Sequence, residues 1–471
     1  MGQLTYEAAL ERLQERGRFG IRLGLGRTRA LLHELGDPQQ AFRGALIAGT
    51  NGKGSVLALV ASALRAAGLR AGETPKPHLV SYRERLQIGG RLVDPATFAE
   101  LVERALPAAE RVARRHGQPT EFELLTAVAF RWFADEAVDL AVVEVGLGGR
   151  LDATHAWDGG VAAITNVDLD HMDRLGSTVT AIAREKAAII ERGDLAVTGA
   201  DGDGLAVVRR RAARMGAPLR VVRPAPILGW DRDGIDVELA GLGPTRVGLR
   251  GRHQAANVAV ADAILDALAE AGIAIIGPDA RRAGYARARW AGRLELIDAR
   301  SANGGSREVL LDGAHNPAGA AVLAQALDDL RPWLVGGDEP QPPRLTLICG
   351  AMADKDVRGV IRALATSRTM AGADVICTQV DAPRALPADE LAGLWRESGA
   401  SLHQVRVVPE PAAALAAALE SAPGPIVVAG SLYLVGAIHA LLVVDPALDD
   451  RARDDQARDD QAPDDVARSV R

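Results

Sequence analysis

The decisive stretch of this sequence reads ALIAGTNGKGSVLALVASALRAA and covers residues 45–67. Residues 45–48 form an apolar run as long as a short strand. Residues 56–67 repeat apolar side chains with the period of a helix, which ends at Gly68. The glycine-rich residues 49–55 connect the two. Such a turn lets backbone N–H groups approach phosphate oxygens, and the helix N-terminus attracts their negative charge. The stretch therefore predicts a phosphate-binding loop.

The loop carries the side chains that a nucleotide site needs. Lys53 is placed to reach the β- and γ-phosphates, and the Ser55 hydroxyl is placed to contact Mg²⁺. The spacing departs from the usual phosphate loop, because Ile47 stands at the first glycine position and Gly54 separates the lysine from the serine. An ordinary turn is the alternative, but the flanking strand and helix favour phosphate binding. The residues expected to contact the nucleotide here are Thr50, Asn51, Gly52, Lys53, Gly54 and Ser55.

Alternating strands and helices continue along the chain, which predicts an α/β fold with a doubly wound parallel sheet. Residues 139–145 (DLAVVEV) are nearly all apolar, as in a strand buried on both faces of a parallel sheet. A second α/β unit begins near Leu294. The other predicted strands are 161–165, 196–198, 308–311, 345–349, 374–378 and 426–429, with a β-rich insertion over 219–250. The predicted helices are 5–16, 29–35, 96–115, 123–133 and 179–191.

We expect three segments in the 471 residues. Residues 1–292 form an N-terminal ATP-binding and central domain, and residues 293–444 form a smaller C-terminal α/β domain of Rossmann-like type. Residues 445–471 repeat Asp and Arg with little apolar content, which predicts a disordered tail. Residues 335–344 (VGGDEPQPPR) predict a surface loop.

Composition excludes several classes of protein. Two cysteines, Cys349 and Cys377, leave no disulfide framework, and no CxxC pair offers a thiolate zinc site. The net charge is −6, of which nine Asp and five Arg from residue 445 onward account for −4. The remaining chain has no basic excess, so we expect no nucleic-acid partner. The start of the chain lacks a secretory pattern, and the longest apolar stretch, 432–444, is too short to span a bilayer. We expect a cytoplasmic protein with no membrane partner.

Lysine is scarce in this chain. Of 55 Lys plus Arg, four are Lys: Lys53, Lys76, Lys186 and Lys355. A coding bias that replaces lysine with arginine wherever either serves would leave lysine where a compact, titratable ammonium is required. The alternative is that the four positions are accidental.

The chain resembles the Mur ligase superfamily, and within it the dihydrofolate synthase/folylpolyglutamate synthase family. The matches extend to about residue 440 and occur in order: Gly24-Leu25-x-Arg27, AGTNGKGS (48–55), PHL (77–79), ERLQIGG (84–90), EVGLGGRLDAT (144–154), LDH (169–171), EKAAI (185–189), GRHQAAN (251–257), AGRLE (291–295), DGAHNP (312–317), GAMADKD (350–356) and GSLYLVG (430–436). The two longest and most specific are EVGLGGRLDAT and DGAHNP.

The resemblance implies a magnesium site beside the loop. Glu144 ends a predicted strand, where a carboxylate faces the ligand crevice, and the resemblance makes it a Mg²⁺ ligand with Ser55 and His171. The alternative for Glu144 is an ion pair with Arg150. His171 alone is more often a structural residue, but its motif favours metal ligation, with Asp168 and Asp170 orienting the imidazole. One or two Mg²⁺ ions are expected.

Lys186 has a special role in the resembling family, where the matching lysine is carbamylated. Burial would favour the neutral amine, which reacts with CO₂, and arginine cannot do this chemistry. The alternative is an exposed surface pair with Glu185.

The resemblance also assigns ATP contacts to the second domain and the acceptor acid to the first. Arg293 is expected at phosphate and Asp312 at ribose, with Asn257 and His315 completing the ATP site. The substrate residues, on the pterin side of the pocket, are Arg27, Phe122, Leu151, Asp152 and Ala153. The catalytic residues are Lys53, Lys76, Lys186 and His171.

One segment departs from the family pattern. Where the family reads Y-[ST]-S-P-H-L, this chain reads TPKPHL over 74–79, so Lys76 replaces a serine that helps to hold Mg²⁺. A charged lysine cannot ligate a metal. Either its ammonium lies near Glu144 and the γ-phosphate and displaces one Mg²⁺ charge, or it points to solvent and a water fills the ligand position. His155, where the family commonly has Asn, is the second departure.

These observations predict an ATP-dependent amide-bond ligase. An acid is converted to an acyl phosphate and captured by an amino acid, with dihydropteroate or folate as the acid and L-glutamate as the amine. Two alternatives remain: the same chemistry on a non-folate carboxylic acid, motivated by Lys76 and His155, and a non-catalytic nucleotide-binding module. We expect a monomer.

Overall fold

The computed structural model describes residues 4–17, 23–300, 304–335, 343–382 and 384–443. The predicted tail, 445–471, lies outside these residues, as do positions 336–342 of the predicted surface loop. No helix in the described part of the chain has both the length and the apolar character that a membrane crossing requires.

A large sheet forms the centre of the first half of the chain. Its strands are β1 (Gly44–Ala48), β2 (Ala71–Thr74), β3 (Gln87–Ile88), β4 (Arg91–Leu92), β5 (Leu140–Glu144), β6 (Gly160–Ile164), β7 (Leu195–Thr198) and β8 (Leu219–Val221). Their order is β4-β3-β2-β5-β1-β6-β7-β8. In this order, all neighbouring pairs from β2 to β8 are parallel. The pairs β2–β3 and β3–β4, at one edge, are antiparallel. The first strand therefore lies near the middle, between β5 and β6, and both of its faces are buried.

Helices cover both faces of this sheet, as a doubly wound fold requires. They are α1 (Tyr6–Gln14), α2 (Leu25–Glu34), α3 (Lys53–Ala66), α4 (Pro95–His116), α5 (Glu121–Asp135), α6 (Met172–Leu175), α7 (Val179–Ala187), α8 (Gly202–Met215), α9 (Gln254–Glu270) and α10 (Pro278–Arg287). The side chains of α3, α9 and α10 pack in one apolar core, and those of α1, α2, α4, α5 and α8 pack in the other.

The β-rich insertion predicted over 219–250 is a separate small sheet for most of its length. Strands β9 (Ile227–Asp231), β10 (Gly234–Leu239) and β11 (Gly243–Val247) form three antiparallel strands in the order β11-β10-β9. Its first residues, however, form β8 and belong to the large sheet.

The second half of the chain has its own six-stranded sheet. The strands are β12 (Glu295–Arg300), β13 (Ser306–Leu311), β14 (Thr346–Cys349), β15 (Ala373–Cys377), β16 (Leu402–Val407) and β17 (Ile426–Ala429), in the order β12-β13-β17-β14-β15-β16. Only β12 is antiparallel to its neighbour. The helices are α11 (Pro317–Leu334), α12 (Val357–Leu364), α13 (Ala388–Glu397), α14 (Pro411–Ser421) and α15 (Leu432–Leu442), and apolar cores lie on both sides of the sheet. The predicted α/β class is confirmed.

Some predicted boundaries were wrong. The helix expected over 29–35 begins at Leu25, and the helix expected over 179–191 ends at Ala187. In α2 the preceding Gly24 has a φ of 146°, outside the helical region, so the helix begins directly after it.

The buried face of α9 gives a test of the fold. Ile264 is fully buried in the core between α9 and the sheet, whereas Ile275 is 85% exposed. We expect Ile264→Ala to lower the free energy of unfolding by about 2–5 kcal/mol, because it leaves a cavity. The matched Ile275→Ala should change it by less than about 0.5 kcal/mol. The midpoint of urea unfolding measures both, and equal midpoints would contradict the described core.

Candidate functional site

The predicted site residues of the first domain follow parallel strands at one edge of the large sheet. Ile47 of β1 lies in register with Glu144 of β5, and Ala48 lies in register with Ile164 of β6. The segments that follow these three strands therefore meet at the same carboxyl edge, where ligands bind in open α/β sheets.

The loop after β1 is held in shape before any ligand binds. The Asn51 N–H donates to Asn166 Oδ1 at 2.8 Å, and the Thr165 hydroxyl donates to the Asn51 carbonyl at 2.6 Å. Gly52 has a φ of 82°, and a Cβ there would lie 2.3 Å from Asn257 Oδ1. The glycine is required both by the backbone and by the close approach of α9, which explains how Asn257 reaches the loop.

Two ammonium groups donate to one carbonyl oxygen of this loop. Lys53 Nζ lies 3.0 Å from Gly49 O and 3.1 Å from Thr50 O, and Lys186 Nζ lies 2.9 Å from the same Gly49 O. Burial, together with the charge of Lys53, lowers the pKa of Lys186 to about 7. The alternative of a surface pair with Glu185 was wrong, since Glu185 binds Arg150 at 2.9 Å and Lys186 is buried.

Glu144 is a buried carboxylate among cations. Its Oε2 accepts the backbone N–H of Lys76 at 2.8 Å. Burial raises the pKa of Glu144, although the positive charges of Lys53, Lys76 and Arg293 act in the opposite direction. The alternative ion pair with Arg150 was wrong, because Arg150 binds Glu185.

His171 follows β6 at the start of α6, with a left-handed φ of 47°. Asp170 lies beside it: Asp170 Oδ2 is 3.7 Å from His171 Nε2, and Asp170 Oδ1 accepts the His171 N–H at 2.9 Å. The Asp168 carboxylate accepts the N–H of Leu169 instead. Burial lowers the pKa of His171, and the charges of Lys355, Lys53 and Lys186 add to this, so the imidazole is held neutral. A neutral ring nitrogen can bind a metal.

The second sheet brings its predicted ATP residues to the same place. Asp312 accepts the N–H groups of Leu294 at 3.0 Å and Ala314 at 2.9 Å, and burial raises its pKa despite the charge of Arg293. His315 Nδ1 lies 2.8 Å from Gly313 O. A carbonyl only accepts, so Nδ1 carries the proton and Nε2 is left as an acceptor. Burial lowers the pKa of His315, and this imidazole is neutral as well.

Lys355 is a site residue to which the sequence analysis assigned no role. Its charge lowers the pKa of both His171 and His315, so it lies near both histidines. All four lysines of the chain are therefore at this site. The scarcity of lysine was the signal that pointed to Lys355.

The predicted acceptor end of the site contains a small cavity beside Phe122. The Lys76 ammonium lies 3.7 Å above the centre of the Phe122 ring. Burial lowers the pKa of Lys76 to about 7 and Arg85 contributes, against the attraction of Asp152 and Glu144. The alternative that Lys76 points to solvent was wrong, because its nitrogen is buried. The cavity is lined by Thr74, Lys76, Arg85, Phe122, Leu125, Thr126, Ala129 and Thr154.

The other predicted substrate residues do not line this cavity but are held by hydrogen bonds in neighbouring segments. The carboxylate of Asp152 accepts the N–H groups of Leu147 at 2.8 Å and Thr154 at 3.0 Å, which fixes the loop that carries Leu151 and Ala153. Arg27 Nε lies 3.1 Å from each of the two carboxylate oxygens of Glu123. His155 is buried, with Nδ1 3.1 Å from Arg150 O and Nε2 3.2 Å from a Glu191 oxygen.

The side chains at this site could hold Mg²⁺ only if a bound phosphate supplied further oxygen ligands. Across the described ranges, no three acidic, histidine or cysteine side chains come close enough to hold a metal ion by themselves. Mg²⁺ is usually bound by one or two carboxylates, substrate phosphates and water. Buried Glu144 and Ser55, beside a phosphate loop, fit such a site.

Family models match both halves of the chain. The Mur ligase middle domain matches residues 47–265, and the Mur ligase glutamate ligase domain matches residues 292–432. The chain is 36% identical over 432 residues to folylpolyglutamate synthase of Lacticaseibacillus casei, covering 88% of this chain and 93% of that protein. It is 33% identical over 372 residues to dihydrofolate synthase/folylpolyglutamate synthase of Bacillus subtilis, covering 77% and 83%.

The chain belongs to the dihydrofolate synthase/folylpolyglutamate synthase family. The crystal structure of Mycobacterium tuberculosis folylpolyglutamate synthase, complexed with ADP and AMPPCP, is similar over 94% of this chain and all of that one, with 34% identity and a TM-score of 0.80. Membership of the Mur ligase superfamily and the two-part fold are confirmed. The individual site residues stay predictions, carried by the geometry above.

Glu144→Gln tests the proposed metal position. Removing the charge should weaken Mg²⁺ binding by roughly 10–100-fold in titrations with a non-hydrolysable ATP analogue. Because burial raises the pKa of Glu144, Mg²⁺ binding by the unchanged protein should weaken as the pH falls through that raised value, where the carboxylate becomes protonated. Glu270→Gln, on the surface, is the control. Equal Mg²⁺ affinity in both variants would remove Glu144 from the metal site.

Proposed function

We propose that the protein joins L-glutamate to the carboxylate of dihydropteroate or folate, using ATP. The observation that carries this proposal is the preformed loop after β1, with Lys53 folded onto it and Glu144 beside it. Membership of the folate synthase family supports dihydropteroate or folate as the acid, rather than an unrelated carboxylic acid.

The reaction has two steps. A carboxylate oxygen of the acid attacks the γ-phosphorus of ATP. The bond between that phosphorus and the bridging oxygen of ADP breaks, and an acyl phosphate forms. The glutamate amine then attacks the acyl carbon, loses a proton, and inorganic phosphate leaves with its bonding electrons. An amide bond, ADP and phosphate are the products.

The chain contributes positioning and charge in both steps. Lys53 leaves the Gly49 and Thr50 carbonyls and neutralises the γ-phosphate, to which the N–H groups of the loop also donate. Arg293, whose charge already reaches Glu144, brings a second cation from the other sheet. Mg²⁺, held by Glu144, Ser55 and His171, would supply further positive charge to the phosphates. These intact groups argue against a non-catalytic nucleotide-binding module.

We further propose that Lys186 is carbamylated in the active protein. Because its pKa is lowered to about 7, much of the buried amine is neutral at pH 8, against well under about one per cent for an ordinary lysine. The neutral nitrogen attacks CO₂, forms an N–C bond and releases a proton. The product is an anion, so the repulsion between Lys186 and Lys53 becomes attraction.

The site is built from one chain, with each sheet supplying part of it, which supports a monomer. Cys349 and Cys377 lie in register on β14 and β15, and both are free, buried thiols. A reducing compartment is therefore proposed, and the cytoplasm is one. The lack of a basic excess in the sequence supports small molecules as the partners, without nucleic acid.

Lys53→Ala tests the role of the loop. Without this ammonium, phosphate release that depends on both dihydropteroate and L-glutamate should fall by roughly 10²–10³-fold in kcat, because charge in the transition state loses a donor. Arg192→Ala, an exposed residue, is the control and should leave the rate unchanged. Full activity in Lys53→Ala would overturn the proposed function.

Carbamylation of Lys186 has its own test. The protein incubated with ¹³C-bicarbonate at pH 8 should show a carbamate carbon in its ¹³C NMR spectrum that Lys186→Arg lacks. The signal should disappear as the pH falls below about 7, because the amine becomes protonated. A carbamate signal that persists in Lys186→Arg, or its absence from the unchanged protein, would contradict the proposal.

A further inference from the structure

The most unusual group outside the phosphate machinery is the Lys76 ammonium. Its nitrogen is buried, and it has no hydrogen-bond partner among the residues that the structure describes. Thr74 Oγ1, which lines the same cavity, is also buried and has no partner in that part of the chain. A buried donor without an acceptor is costly, so these two groups are prepared for an acceptor that comes from outside the chain.

The surroundings of Lys76 define what that acceptor can be. The ammonium lies over the Phe122 ring, and the attraction between them needs no hydrogen bond. Once the ammonium has moved, the uncovered face of the Phe122 ring can stack against a flat ring. An ammonium donates and cannot accept, so it selects a ring whose edge carries an oxygen or a bare nitrogen.

The cavity itself holds no ring in its present form. Its free space amounts to about 10 Å³, room for one water molecule. A two-ring substrate therefore reaches the face of Phe122 only when the Lys76 ammonium swings away from it. The flexible four-carbon stem of lysine permits this movement, and the ammonium stays inside the pocket.

We propose that Lys76 determines specificity for the acceptor acid by donating a hydrogen bond to a carbonyl oxygen on the edge of its heteroaromatic ring, after that ring has displaced the ammonium from Phe122. This inference rests on the proposed function. For a folate-type acid the ring is a pteridine and the oxygen is its 4-oxo group. A 4-amino pteridine places a donor where the 4-oxo group has its acceptor, so the hydrogen bond at that position is lost and the 4-amino acid binds more weakly.

The experiment compares dihydropteroate with its 4-amino analogue as acids, in the full-length protein and in Lys76→Met, at a pH below 7, where the Lys76 amine is protonated. Glutamate-dependent phosphate release gives kcat/KM, and calorimetric titration gives the affinity for each acid without turnover. The unchanged protein should prefer the 4-oxo acid by roughly 10–100-fold, as expected for a hydrogen bond from a charged donor. In Lys76→Met, which keeps a flexible apolar stem over Phe122, the preference should shrink to less than about threefold.

Each outcome decides between a specificity role and a structural one. If Lys76 has only a structural role, Lys76→Met should lower kcat/KM for both acids by the same factor and leave their ratio unchanged. That result overturns the proposal but not the ligase function. If the unchanged protein has the same kcat/KM for both acids, the proposal is overturned without any variant. If the unchanged protein releases no phosphate with either acid, the proposed function fails, and this inference fails with it. Loss of the ratio with an unaltered KM for ATP supports the proposal.

Discussion

The Gly49 carbonyl oxygen accepts hydrogen bonds from two ammonium groups, and the site depends on this contact. Lys53 reaches it from the start of α3 and Lys186 reaches it from α7. The two like charges about one acceptor repel each other, and at Lys186 burial also disfavours the charged form. The contact therefore joins the loop, α3 and α7 into one unit that carries two basic side chains. A bound triphosphate would give Lys53 a better acceptor than a backbone carbonyl.

Lysine, rather than arginine, suits these positions because its charge can be removed. The chain uses arginine almost everywhere else, and a guanidinium stays protonated under all relevant conditions. The pKa values of Lys76 and Lys186 both fall to about 7 through burial. An ammonium there can lose its proton, react or move at moderate cost, whereas a guanidinium in the same cavity would hold its charge and fill the space. Lysine scarcity was therefore informative in this chain, and it would not be informative in a chain of ordinary composition.

Much of the first sheet could be predicted from the sequence, because β1 and β5 are short apolar runs buried on both faces. Strand β2 was missed, since AGET contains a glycine and a glutamate that rarely occur in strands. The structure supplies the reasons: a Cβ on Gly72 would lie 2.7 Å from the Phe133 ring, and buried Glu73 binds Arg65 at 2.9 Å. The edge strands β12 and β16 were missed because irregularly spaced polar residues interrupt their apolar runs, as in ELIDAR and LHQVRV. Long-range partners of this kind leave no local pattern.

Long-range contacts also decide which part of the site could be predicted from the sequence and which part could not. Residues that follow parallel strands must share an edge, so the proximity of the loop, Glu144 and His171 follows from strand order. The direction of the Lys76 side chain does not, because its backbone N–H binds Glu144 while its ammonium lies over the Phe122 ring. One residue thus contacts the predicted metal end with its main chain and the acceptor end with its side chain. A substrate ring that moves the ammonium acts on the same residue that holds the Glu144 carboxylate, so binding of the acid and charge at the phosphate end are joined through a single peptide unit.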